Sequence, residues 1–234
     1  MAYCASLRDL FGASAQWDGE SWTSSDDRVR GGKSQSYLQI LKNVPGQRAV
    51  FHGNLDIKTL GGAGFASQRT TDERKWDLSG DDAIVLKTGR GDGKKYTLVL
   101  KDEALPKRPD GREQSTVSWE YDFKSTYNGG SLYIPWSDFK PTYRGKPKSD
   151  ARPLDLKSVQ RISIMMRSFF GEQEGPFWLE IESISAHKKG QNANTCPCVG
   201  EELFGKELGG THDESSGKRQ IPASTRSWKS WLCF

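Results

Sequence analysis

Between Gln47 and Ala186 apolar side chains recur at nearly every second position, and no cysteine lies anywhere from Ala5 to Thr195. Together these facts restrict the body of the chain to a β-rich fold held by packing alone, because a period of two places alternate side chains on opposite faces of a strand. Ala49, Phe51, Gly53, Leu55 and Ile57 form one such set; Ile84 and Leu86 follow, then Tyr96, Leu98 and Leu100. Val117, Trp119, Tyr121 and Phe123 make another, as do Ile162, Ile164 and Met166. The last set, Phe177, Leu179 and Ile181, slips by one residue before Ile184. Turn clusters such as Gly61-Gly62, Pro109-Asp110-Gly111 and Asn128-Gly129-Gly130 separate the sets. About eight or nine strands with little helical pattern predict an all-β, antiparallel β-sandwich through this patterned body. Residues 1–16 read as a short lead with a helical turn over Ser6 to Phe11, and Pro135 to Phe139 reads as a second helical turn. After Ala186 the pattern stops, and residues 187–234 read as a polar, flexible, mostly irregular tail.

Several function classes are excluded by composition. No apolar run approaches the roughly 20 residues of a membrane span; Ile162-Ser163-Ile164-Met165-Met166 is among the longest. The net charge of +4 is spread without a like-charge block, which argues against a dedicated nucleic-acid binder. Cys4, Cys196, Cys198 and Cys233 all lie outside the patterned body, as suits a reducing compartment. Of three histidines only His52 falls inside it, where it reads as a strand-surface residue two positions from Val50. Zinc chemistry needs three or four clustered ligands, and a nucleophilic triad needs a histidine beside its Ser or Cys. No catalytic residue, metal ligand or cofactor is therefore assigned.

Three constellations remain. Asp26-Asp27-Arg28-Val29-Arg30-Gly31-Gly32-Lys33-Ser34 lacks the spacing of a phosphate loop. It reads either as a charged turn into the first strand or, through Arg30 and Ser34, as a contact for a ligand or partner. Gly61-Gly62-Ala63-Gly64 is no dinucleotide fingerprint, since Phe65, Ser67 and Arg69 continue at strand period. Its small residues leave a shallow surface that something else can occupy. The third is a group of aromatic and arginine side chains at strand ends, from which Arg69, Trp119, Arg144 and Arg167 are taken as candidate binding residues. Core packing is the stronger reading for most of the aromatics. The arginines are rarely buried without a partner, and Glu120 and Asp122, opposite in phase to Trp119 and Tyr121, are the expected ion-pair partners. In the tail, Trp228, Trp231 and Phe234 recur at intervals of three beside Arg226 and Lys229. They read as a docking segment, for a partner, a membrane surface or the parent domain itself. Cys233 is misplaced for prenylation, and Cys196-Pro197-Cys198 is misspaced for a zinc knuckle.

An ordered series of motifs resembles the complex I intermediate-associated protein 30 family: Arg28-Val29-Arg30-Gly31-Gly32-Lys33-Ser34, Phe51-His52-Gly53, Gly62-Ala63-Gly64-Phe65-Ala66-Ser67, Trp76-Asp77-Leu78-Ser79, Asp92-Gly93-Lys94-Lys95-Tyr96-Thr97, Trp136 to Gly145 and Ser163 to Phe169. The resemblance runs from about Trp17 to Ala186. It implies a galactose-binding-like jelly-roll and a non-enzymatic assembly chaperone of mitochondrial NADH:ubiquinone oxidoreductase, with protein subunits or assembly intermediates as partners. It also implies a mitochondrial location, whereas the first residues carry no readable presequence, which taken alone places the chain in the cytoplasm. Short, domain-only relatives are fungal. Two other classes stay open: a jelly-roll receptor for a sugar or small polar ligand, and a cofactor-independent cyclase or isomerase with a closed cavity lined by Arg69, Trp119 and Arg167.

Overall fold

Thirteen strands carry almost all the regular structure in a computed structural model that describes residues 6–188 apart from 43, 45, 72 and 73. In chain order they are β1 (Ser6–Gly12), β2 (Trp22–Ser24), β3 (Gln35–Leu41), β4 (Arg48–Leu55), β5 (Phe65–Thr70), β6 (Ala83–Gly91) and β7 (Lys95–Lys101). β8 (Ser118–Lys124), β9 (Gly130–Pro135), β10 (Lys140–Tyr143), β11 (Lys146–Pro147), β12 (Arg161–Arg167) and β13 (Gly175–Lys188) complete the set. They form two antiparallel sheets. One has the order β3-β4-β13-β6-β9, with β1 also on β13, and the other β11-β10-β8-β7-β12-β5-β2. The result is a jelly-roll sandwich, and the helical structure among the described residues is limited to short 3-10 turns. One of these, Trp136–Asp138, sits where the second helical turn was expected.

The alternating sets of the sequence supply the two inner faces. Tyr96, Leu98 and Leu100 of β7 and Ile162, Ile164 and Met166 of β12 face Ala49, Phe51 and Leu55 of β4, Ile84 and Leu86 of β6 and Phe177, Leu179 and Ile181 of β13 in one buried core. Each large side chain so buried contributes about 1.5–3 kcal/mol. Tyr96 joins the sheets by aromatic contact, with ring centroids 6.1 Å from Phe51 and 6.3 Å from Phe177. Its hydroxyl lies 3.0 Å from an Asp92 carboxylate oxygen and 3.1 Å from the Trp178 carbonyl, so the one polar atom of the ring is satisfied. Burial, reinforced by the Asp92 charge, pushes that phenol above its ordinary pKa. The slip before Ile184 is a bulge: the register of β13 against β6 shifts between Ile181 and Ser183, after which Ile184 and Ala186 return to the core.

The segment expected as a helical turn over Ser6 to Phe11 is instead strand β1. Ser6–Gly12 pairs with 183–188 of β13, leaving β4 to pair with 175–181 on the same edge. A short lead cannot nucleate a stable helix alone, whereas the open edge of a 14-residue strand offers a full ladder of backbone partners. Phe11 is thereby buried against Trp17, Trp22 and Trp76 at 5.6, 4.8 and 5.9 Å. The sandwich thus begins at β1 rather than at Trp17, and its last strand runs two residues past Ala186. Trp228, Trp231, Phe234 and Cys196-Pro197-Cys198 lie outside the described residues.

On the outer face of the smaller sheet, Glu180 receives Arg48 and Arg90, each at 3.1 Å, and Glu182 receives Arg48 at 3.2 Å and Lys87 at 3.1 Å. Burial raises the Glu180 carboxyl, but hydrogen bonds from Arg90 and Arg48 outweigh it and hold the group below the ordinary glutamate value. A depressed carboxyl contributes stability above its unfolded pKa and loses it as pH falls through the folded value. The difference in urea midpoint between wild type and Glu180→Gln should therefore be largest near neutrality and shrink as pH drops below about 4.3.

A second outcome concerns Gly12, which holds φ at 73° where the chain leaves β1. A β-carbon there would collide with the Glu182 carbonyl oxygen and lie 2.6 Å from the Trp17 indole nitrogen. Gly12→Ala should lower stability by about 2–4 kcal/mol, the sum of left-handed strain and overpacking, as read by urea denaturation.

Candidate functional site

Two adjacent aspartates, at the start of a 3-10 turn over Asp27–Arg30, organise the end of the sandwich where the glycine-rich motifs meet. Asp27 is 0% exposed and Asp26 3%. The Asp27 carboxylate accepts from the Ser34 amide at 3.0 Å, the Ser34 hydroxyl at 2.6 Å and the Phe65 amide at 3.1 Å. Asp26 accepts from the Ser36 amide at 3.2 Å, the Ser36 hydroxyl at 2.6 Å and the Ser67 amide at 2.9 Å, and pairs with Arg28 at 3.2 Å. Since β3 belongs to one sheet and β5 to the other, these two carboxylates stitch the sheets together. The space beside Gly32 and Gly64 is taken by the protein itself, whereas Gly61 and Gly62 face open space. A β-carbon on Gly32 would strike the Asp27 carboxylate, and one on Gly64 would sit 3.4 Å from it.

Ser34 is accordingly no contact for a ligand or partner. It is fully buried, donates to Asp27 and accepts from the Asp56 amide at 3.1 Å. Trp119 is corrected as well: it points into the core with Phe123, because odd positions of β8 face inward and even ones outward. Arg69 and Arg167 lie on the other side of the same sheet, so no cavity joins Trp119 to them.

Arg69 and Arg167 instead belong to a charged network on the outer face of the seven-stranded sheet. Across β7, Arg167 reaches Glu120 at 2.6 Å and both oxygens of Asp122 at 2.6 and 2.7 Å, the partners expected from the phase of β8. Thr97 donates to Asp122 at 2.6 Å and Thr142 to Glu120 at 2.7 Å. The Phe169 ring covers the Arg167 guanidinium at 4.6 Å. Glu113, from the 102–117 loop, joins Arg69 at 2.5 Å and Arg161 at 2.7 Å. Between them Lys101 donates to Thr116 at 3.1 Å; burial, and after it the nearby Arg161, holds its ammonium below the ordinary lysine value. Charge-assisted, partly bidentate bonds of this kind fix side-chain geometry.

At one end of this face the network opens into a cleft of about 850 Å³. Arg28 and Arg30 enter it from the turn after β2, Arg69 from β5, and Arg144 from the tight turn between β10 and β11. Lys107, Arg108 and Arg112 come from the 102–117 loop, and the hydroxyls of Ser24, Ser25 and Ser115 complete the polar lining. The carboxylates that face them are Asp26 and Glu113, so positive charge is in clear excess. Arg30, Arg69 and Arg144 of the sequence-derived set are thus brought together; Arg167 lies outside the cleft lining, on the sheet face. The pairing of Asp26 with Asp27 and the roles of Lys107 and Arg112 were missed, although Lys107-Arg108-Pro109-Asp110-Gly111-Arg112 is legible as a basic turn.

The carboxylate pair yields a direct outcome. Asp27→Ala strands three donors in a buried site and should cost about 3 kcal/mol or more in urea unfolding, because each unsatisfied buried group costs about 1–3 kcal/mol.

The sequence matches the family described as complex I intermediate-associated protein 30 over residues 11–181. It is 44% identical over 184 residues to an uncharacterized protein of Schizosaccharomyces pombe, covering 77% of this chain and 84% of that one. It is 25% identical over 208 residues to the mouse protein named complex I intermediate-associated protein 30, mitochondrial, covering 80% of this chain and 60% of the mouse protein. Among solved structures, a family 11 carbohydrate-binding module of a Clostridium thermocellum cellulase aligns with a TM-score of 0.55 at 14% identity, over 83% of this chain and 100% of the module. The module from the same organism bound to a β-1,3-1,4-mixed-linked tetrasaccharide aligns at 0.54 and 15% identity, over 80% and 96% of the two chains. At these identities the modules share the jelly-roll fold. With its motifs, its strand pattern and a match spanning nearly all of the sandwich, the chain belongs to the complex I intermediate-associated protein 30 family.

Proposed function

We propose that the protein is a non-catalytic binding protein that holds subunits or intermediates during assembly of mitochondrial complex I or a related multi-subunit complex. The contact surface is the outer face of the seven-stranded sheet at the Arg167–Phe170 end. Family membership supports the class of partner and the mitochondrial setting. The chemistry of the face supports holding rather than bond-breaking: Glu113, Glu120 and Asp122 are each engaged by an arginine, which fixes their side chains in place.

The observation that carries the reading is Phe170. Its side chain is 97% exposed on the turn after β12, beside the Phe169 ring that caps Arg167. Phe169 and Phe170 hold φ at 46° and 61°, a left-handed conformation that bulky residues rarely adopt. Strain kept in order to display an aromatic ring is the signature of a contact anchor.

Asparagine tolerates this conformation better than phenylalanine. Phe170→Asn should therefore leave the melting temperature of the purified protein unchanged or slightly raised. In cells, tagged wild-type protein should co-fractionate with mitochondria and recover complex I intermediates after cross-linking, while Phe170→Asn recovers few. A purely cytosolic distribution of the wild type, or equal recovery by the variant, would refute the proposal.

A further inference from the structure

The basic cleft beside Arg69 has a composition that the holding of protein subunits does not require, and we infer that it is a binding site for a small, multiply charged phosphate-bearing anion. Size comes first. About 850 Å³ is the scale of a pocket for one compact organic molecule, nucleotide-sized or a little larger, rather than of an extended protein interface.

Charge comes second. Some of the basic side chains there are already neutralised: Arg28 by Asp26 at 3.2 Å and, weakly, Arg108 by Asp110 at 3.5 Å. Others are not. Among the described residues Arg30, Lys107, Arg112 and Arg144 have no carboxylate within ion-pairing distance, yet all four line one concavity. Like charges gathered in a cleft repel one another, and low-dielectric walls focus their field on whatever enters. An entering anion relieves that repulsion, and each added negative charge on it increases the relief.

Geometry selects the chemistry. Most of the cations are guanidinium groups, whose planar forks match the paired oxygens of phosphoryl groups. They also converge from different elements: Arg30 from the turn locked by Asp26 and Asp27, Arg144 from a tight turn, and Arg112 from the 102–117 loop. Two of them are pre-positioned without losing charge. The Arg30 guanidinium rests 5.5 Å from the centre of the Phe65 ring, and the Arg144 Nε donates to the Ser115 hydroxyl at 3.3 Å while its guanidinium rests 5.4 Å from the centre of the Tyr143 ring. A rigid, divided set of cations favours a ligand with two or more phosphate groups over a single monoanion. Nearby serine hydroxyls add donors for its remaining oxygens.

This inference does not rest on the assembly reading, and it is measured on the purified full chain with defined anions. Calorimetry with tripolyphosphate, and separately with inositol hexakisphosphate, should show one-site binding that weakens steeply with added NaCl. Arg112→Ala and Arg144→Ala should each weaken it about tenfold, and the triple variant with Lys107→Ala should abolish it, without change in the circular dichroism spectrum. Lys58→Ala with Lys124→Ala, which removes two exposed cations outside the cleft, should leave it intact. Three outcomes would overturn the site: no binding of either phosphate probe, equal binding by the wild type and the triple variant, or binding of a polyglutamate peptide in place of the phosphates. Because no partner protein is present, none of them bears on whether Phe170 anchors an assembly intermediate.

Discussion

The structure turns on two aspartate side chains that have been taken out of water. Asp26 and Asp27 sit between β3, the edge strand of one sheet, and β5, which lies next to the edge strand β2 of the other, and six hydrogen bonds from Ser34, Ser36, Phe65 and Ser67 hold them. A carboxylate at 0% exposure is tolerable only when its oxygens are filled, so every group that fills them is fixed in turn. That requirement explains Ser34 and Ser36, the glycine at 32, and the close approach of β3 to β5. It also sets the direction in which Arg28 and Arg30 leave the turn.

Charge is handled differently on the two outer faces. On the smaller sheet, Glu180 and Glu182 share Arg48 and draw in Arg90 and Lys87, leaving a ladder in which opposite signs alternate. On the larger sheet Arg167 is paired with Glu120 and Asp122, and Glu113 serves Arg69 and Arg161. Farther along, toward the 102–117 loop, cations outnumber their partners. A rigid, neutralised face thus adjoins a positive concavity, and the two can serve different ligands. The exposed Phe170 ring marks the neutralised face, whereas the cleft offers mainly charge and hydroxyls.

Family and fold carry different information about this molecule. Membership in the complex I intermediate-associated protein 30 family ties the chain to proteins concerned with an assembling complex. Likeness to the carbohydrate-binding modules reflects a shared way of closing two antiparallel sheets around an apolar core, a scaffold on which unrelated sites are built. The side chains at the cleft and at the Phe169–Phe170 turn distinguish the possibilities, since they determine charge, shape and exposed aromatic area.

The alternation of Tyr96, Leu98 and Leu100, of Trp119, Tyr121 and Phe123, and of Ile162, Ile164 and Met166 was enough to establish a sandwich, although Trp119 still stood among the candidate binding residues. Even the bulge of β13 was legible, as the slip before Ile184, and strand phase marked Glu120 and Asp122 as partners for an arginine, though not which one. These features are local: side-chain direction along a strand is set by a period of two, whatever the strand packs against. Other features needed the tertiary structure. Ser6 to Phe11 became a strand because β13, more than 170 positions away in sequence, presented an open edge to it. Ser34 became a buried donor because Asp27 folds back onto it and Phe65 closes the same site from the other sheet. Arg30, Arg69, Arg112 and Arg144 became neighbours only when the seven-stranded sheet and the three connections beside it were in place. The sequence determined which way each strand residue faces, because that is a property of the backbone; the tertiary structure decided which charges meet, because electrostatic pairing depends on distance through space and not along the chain.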